Sequence, residues 1–196
     1  DMKNKELQEY IQSQIVQSPK RLKGMISDIQ GNPLFKRTVF LILQKYAIDF
    51  MVKKGFSYVY PPYMINKKSV EGVTDLAAFQ DTIYKIEGED LYMIATSEHP
   101  LTARFSDEVL EDKSLPIKFA GVSPCFRKEA GAHGKDTKGI FRVHQFNKIE
   151  QIIFSRPEES WALHEELIKN AIEIFESLGL HFKTVNVCTG DIGTVA

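Results

Sequence analysis

Cysteine is scarce in this chain: Cys125 and Cys188 are the only two, far apart and in no CxxC pair. That spacing excludes a disulfide framework or a zinc ribbon and points to a reduced, cytosolic protein with both thiols as small core residues. Long apolar runs are missing as well. No stretch approaches the ~20 residues that a membrane span needs, and the opening residues do not read as a secretory signal. Charge of one sign is also lacking: 25 Lys and Arg stand against 26 Asp and Glu, a formal net charge of −1. Such a balance excludes indiscriminate coating of nucleic acid, while leaving room for a local basic loop. Neither a Gly-Lys-Ser/Thr phosphate loop nor a dinucleotide glycine fingerprint occurs, so a nucleotide bound here would lie on a sheet face. What remains, 196 residues at 43% hydrophobic and 26% charged, suffices for one well-packed domain.

Residues 1–30 are polar with scattered apolar positions and read as a short helical arm or remnant, interrupted near Ser18-Pro19; residues 31–196 read as the domain. After Gly31-Asn32-Pro33, FKRTVFLILQKYAIDFMVKKG predicts a helix, with Lys53 and Lys54 at its negative end and Gly55 as its stop. FSYVY predicts a strand before Pro61-Pro62, and TIYKI and LYMIAT predict a β-hairpin across EGED. IKFAGVSPCF and NKIEQIIF predict the two long strands. Ser155 with Glu158 fits a capping box, opening a helix that buries Leu167, Ala171, Ile174, Phe175 and Leu178 and ends at Gly179. FKTVNVC predicts a last strand, and Trp161 reads as core. Hairpin-length connections with helices before and after them favour an α+β fold, an antiparallel sheet flanked by helices.

The stretch from Phe126 to Glu150, FRKEAGAHGKDTKGIFRVHQFNKIE, stands apart. Side chains two apart on a strand share a face, so Arg127 projects with Glu129, and Arg142, His144, Phe146, Lys148 and Glu150 project together across a glycine-bearing loop. Cations for a phosphate, a ring for a base and carboxylates for an ammonium group form a recognition set for a nucleotide joined to an amino acid. Taken alone, Arg127 and Glu129 also fit a cross-strand charge pair, and Phe146 a core ring. His144 reads as a hydrogen-bonded structural residue, and no histidine, His99 and His133 included, is assigned as a metal ligand.

This stretch resembles the second signature motif of class II aminoacyl-tRNA synthetases: an FRxE strand, a variable loop, then Arg and Phe on the return strand. KGFSYVYPPYM, from Lys54 to Met64, is similar to the first motif, which in that family forms the homodimer interface. TSEHPLTA, FRVHQFNKIEQ, CTGDIG and VTDLAAFQDTIYKI more narrowly resemble the seryl-tRNA synthetases, the resemblance covering roughly residues 50–196. It implies a class II synthetase-like sheet, truncated before the third signature motif and lacking the family's long two-helix arm. It implies a cytoplasmic homodimer that uses ATP with Mg2+ to activate serine and load tRNA(Ser). Arg127 would hold the ATP α-phosphate, Glu129 the adenine amino group or a neighbouring donor, Phe146 the adenine face, and Arg142 the phosphate end or the flank of the base. Glu150 would take the serine hydroxyl, with Thr96 and Glu98 on its ammonium group. Lys135 and Lys138, in the loop, would meet the tRNA acceptor end. Three alternatives stay open: a noncatalytic synthetase-like paralogue, an amino-acid ligase that loads a carrier protein, and a threonine or proline synthetase, which share the general class pattern.

Overall fold

A computed structural model of the chain describes residues 33–79, 81–129 and 142–192, without the side chains of 33–38, 78 and 191. The arm at 1–30 and the loop at 130–141, with His133, Lys135 and Lys138, lie outside the described residues. In chain order the elements are α1 (Pro33–Lys53), β1 (Ser57–Val59), β2 (Met64–Ile65), α2 (Lys67–Glu71), α3 (Leu76–Phe79), β3 (Tyr92–Met93), α4 (Glu98–Thr102), β4 (Ile117–Phe126), β5 (Gln145–Phe154) and α5 (Ser160–Ser177). The chain divides into two compact units, residues 1–50 with 164–185 and residues 51–163 with 186–196.

In the first unit, the Tyr46 hydroxyl of α1 donates to Ser177 Oγ of α5 at 2.6 Å, and Phe175 meets Phe182 edge-on at 5.5 Å. A surface helix buries only the face turned toward its neighbours. Accordingly Leu167, Ala171, Ile174 and Leu178 are half-buried and Phe175 is exposed, while Asn170 is the buried residue of the helix. The expected burial of that stripe is therefore incomplete. Gly179, at φ 65°, ends α5 as expected, with the Leu180 N–H on the Phe175 carbonyl at 3.0 Å. Residues 182–188, expected as a strand, join no sheet among the described residues, so that expectation is not met.

The second unit holds the sheet. Gly55, at φ 87°, stops α1: the Phe56 N–H reaches back to the Met51 carbonyl at 3.1 Å and the Gly55 N–H to Val52 at 3.0 Å. The strand order is β1-β4-β5. β4 and β5 pair antiparallel over their whole length, Ile117 opposite Phe154 through Phe126 opposite Gln145, but β1 lies parallel to β4. The sheet is thus mixed, because the long connection through α2, α3 and α4 returns the chain in the same direction. Central β4 is buried without interruption from Phe119 to Ser123, as a strand covered on both faces should be. Phe105, Phe119 and Phe154 stack with centroids 5.0 to 6.2 Å apart at the end of the hairpin away from the loop.

Pro124 is tolerated in β4 for a definite reason. The N–H of Arg127 points to β5 and that of Phe126 to Ile94, so by alternation the donor that proline lacks faces away from β5, beyond the last pairing with β1. The smaller ladder joins β2 to β3, over a cluster of Ile65, Val70, Ile83, Tyr92 and Ile94. The hairpin expected around EGED is short: Lys85 bridges Tyr92, the Ile86 N–H donates to the Leu91 carbonyl and the Met93 N–H to the Tyr84 carbonyl, both at 2.9 Å, while Tyr92 and Met93 also pair with β2.

Three further expectations are corrected. Residues 157–159 form a 3-10 turn with Arg156 at its N-cap and no side-chain cap, so the Ser155–Glu158 box does not form. Arg156 is instead held extended by a two-pronged contact with Asp112, at 2.5 Å from both Nε and Nη2. Trp161 is 79% exposed. Cys125 is buried, but Cys188 is exposed.

Candidate functional site

The open end of the β4–β5 hairpin is where the chain gathers its charged and aromatic side chains. The Phe126 N–H donates to the Ile94 carbonyl at 2.9 Å, laying residues 94–96 beside the end of β4. Arg127 follows, its Nε donating to the Ala95 carbonyl at 3.2 Å and its guanidinium lying over the Phe146 ring at 5.1 Å. Phe146, Lys148 and Glu150 occupy alternate positions of β5, whose register with β4 is unbroken, and so share one face. At the far end of that row the Thr96 hydroxyl donates to Glu150 Oε2 at 3.1 Å and accepts the Glu98 N–H at 3.1 Å. Lys148 is ion-paired to the same Oε2, and Oε1 makes no bond among the described residues.

Arg127, Thr96, Glu129 and Arg142 line one cleft of about 460 Å³ with His99 and Ile83. Phe146 and Glu150 join it through Arg127 and Thr96; Glu98 is exposed. The strand alternation expected for Arg127 with Glu129, and for Arg142 with His144, does not hold. β4 ends at Phe126 and β5 begins at Gln145, and Glu129 sits at φ 54°, in the left-handed region, which turns its carboxylate out of the strand direction. That turn lets Glu129 meet Arg142 Nη1 at 3.2 Å across the base of the loop. His144 is hydrogen-bonded through Nδ1 to the Tyr84 hydroxyl at 2.5 Å. The partner, Tyr84, had no signal in the sequence beyond its place in a strand. Lys148 had one: its alternation with Phe146 and Glu150 put it on the site face, with no role assigned.

His99 is 7% exposed, and its Nδ1 is buried without a hydrogen-bond partner among the described residues. Burial, reinforced by the charges of Lys148 and Arg127, lowers its pKa to about 4. The imidazole is therefore neutral at pH 7 and adds no third cation to the cleft. A histidine depressed on folding stabilises the fold above pH 6.5 and withdraws that stability as the pH falls toward 4. Urea unfolding is expected to show a loss of about 2 kcal/mol between pH 7 and pH 5 that His99→Gln abolishes. An unchanged slope in the variant would place the titration elsewhere.

Comparison with known proteins bears on the family. The family model described as tRNA synthetase class II core domain (G, H, P, S and T) matches residues 82–196, more than half of the chain. A serine–tRNA ligase of Methanocella arvoryzae is 61% identical over 156 residues, 80% of this chain and 37% of that protein. The serine–tRNA ligase of Thermoplasma acidophilum is 55% identical over 181 residues, 92% of this chain and 41% of that one. The chain thus spans about two-fifths of the length of the curated relatives it matches. Among solved structures, a seryl-tRNA synthetase from Pyrococcus horikoshii complexed with ATP superposes with a TM-score of 0.74 at 56% identity, covering 78% of this chain and 34% of that one. With a family model matched over more than half of its length, the chain belongs to the class II tRNA synthetase core domain family.

Proposed function

We propose that this chain forms part of the catalytic domain of a serine–tRNA ligase, activating serine with ATP and passing the seryl group to tRNA(Ser). The observation that carries this reading is the row on β5. A guanidinium stacked on a ring at one end stands in line with a threonine-held carboxylate at the other. Phe146 would stack on adenine and Glu129 accept from its amino group, while Arg142, bridged to Glu129, flanks the base or reaches the phosphate end. The Arg127 terminal nitrogens, with no bond among the described residues, would meet the α-phosphate. Glu150 would take the serine hydroxyl on its open Oε1, with Thr96 and Glu98 near the ammonium group. Lys135 and Lys138 would contact the tRNA acceptor end.

The serine carboxylate attacks the α-phosphorus and pyrophosphate departs from the opposite side. The terminal ribose hydroxyl of tRNA then attacks the seryl carbonyl and expels AMP. Little proton transfer is asked of side chains; alignment and charge stabilisation carry the rate. Mg2+ enters as part of the substrate, MgATP. Residues 54–64 would supply the homodimer contact, a reading supported by the outward-facing Tyr58, Tyr60 and Met64. Residues 31–196 would form the partial catalytic domain behind an N-terminal arm at 1–30, in a cytoplasmic enzyme; no described helix is long and apolar enough to cross a membrane. Serine-dependent ATP–pyrophosphate exchange by the full-length gene product tests the first step. No exchange would favour a noncatalytic paralogue, and transfer to a carrier protein in place of tRNA would favour the other ligase class.

A further inference from the structure

Gly121 lies in β4 directly opposite Glu150 of β5. Residues directly opposed in an antiparallel pair present their side chains on the same face. The place where Gly121 lacks a side chain is therefore beside Glu150, and the turn that carries Thr96 fills it. A β-carbon on Gly121 would stand 2.3 Å from Leu101 Cδ1, 2.9 Å from Ser97 Oγ and 3.2 Å from Ser97 Cβ. Ser97 and Leu101 are fully buried there, and Ser97 Oγ donates to the Gly121 carbonyl at 3.3 Å. Thr96, the next residue back along the chain, makes the 3.1 Å bond to Glu150.

We propose that Gly121 is a positioning residue that determines amino-acid size selectivity: its bare α-carbon seats Ser97 and Leu101 against β4 and so fixes the gap between Thr96 and Glu150. This rests on the serine–tRNA ligase reading. A side chain at 121 cannot be met by rotating one loose end, because both neighbours are enclosed. The enclosed Leu101 end must shift by about 1 Å to restore van der Waals contact, and Ser97 Cβ, tied to the backbone of the turn, must give by a few tenths of an ångström; a full 1 Å misplacement costs about a hundredfold in a positioned reaction. Movement away from Glu150 enlarges the space around a hydroxymethyl group and admits one more methyl. The nucleotide side, Arg127 on Phe146, lies along β5 from this contact.

Gly121→Ala in the full-length gene product is expected to raise the serine KM in ATP–pyrophosphate exchange at least tenfold, with the ATP KM within twofold. The kcat/KM preference for serine over threonine is expected to fall. Adding Leu101→Ala, which removes the closest clashing atom, is expected to recover part of the serine KM. A general loss of stability would not split the two KM values, and both rising together, or neither changing, overturns the proposal. Should Gly121→Ala not fold, Ser97→Ala decides, since it removes the seating bond without adding bulk; an unchanged serine KM there also overturns it. Absence of serine-dependent exchange in the unaltered protein would sink the ligase reading itself, and this assignment with it. Exchange with unsplit KM values sinks only the role of Gly121.

Discussion

Arg127→Ala is expected to lower kcat for serine-dependent ATP–pyrophosphate exchange by about a hundred- to a thousandfold, the usual cost of deleting one preorganised donor aimed at developing charge. The side chain is suited to that task by its restraints. Its Nε is committed to the Ala95 carbonyl and its plane lies on the Phe146 ring, so the remaining donors are oriented before substrate arrives. Arg127→Lys keeps the charge but has no planar fork, and is expected to recover only part of the loss. A residual rate within tenfold of the parent in the alanine variant would remove Arg127 from the transition state. Binding of ATP, measured separately by calorimetry, is expected to weaken less than kcat falls, since the interaction grows as charge develops on phosphorus.

Glu150→Ala is expected to separate serine from ATP. The carboxylate accepts from Thr96 and pairs with Lys148, and its loss leaves Lys148 without its partner and Thr96 without its acceptor. Serine kcat/KM is expected to drop about a hundredfold, the scale of a charge-assisted hydrogen bond plus the disturbance of its partners. The ATP KM is expected to change less than threefold, because the described bonds of Glu150 run to Thr96 and Lys148, whereas Arg127 is held by the Ala95 carbonyl and the Phe146 ring. Equal losses for both substrates would dissociate Glu150 from serine recognition.

Much of this arrangement was legible in the sequence because it follows from periodicity. Alternate residues of β5 share a face however the sheet packs, so Phe146, Lys148 and Glu150 could be placed together before any coordinates. The helix stops at Gly55 and Gly179 were equally local, each resting on one residue that reaches positive φ at little cost. What escaped was long-range. That β1 runs parallel to β4 depends on the path of the connection. That Glu129 leaves the strand depends on a backbone twist with no glycine to announce it. Residues 182–188 have strand composition, but a strand also needs a neighbour, which composition does not encode. The capping box failed for a similar reason: Asp112, more than forty residues upstream, holds Arg156 in competition with the local motif.

The tether between Arg127 and residue 95 ends on a main-chain oxygen. Every amino acid carries that atom, so replacement of Ala95 can crowd the guanidinium but never delete its anchor. The neighbouring Thr96 has no such shelter, because its link to Glu150 is made by a hydroxyl that most substitutions abolish. On the proposed assignment, sequence drift through this short segment would therefore erode the choice of amino acid sooner than the hold on the nucleotide.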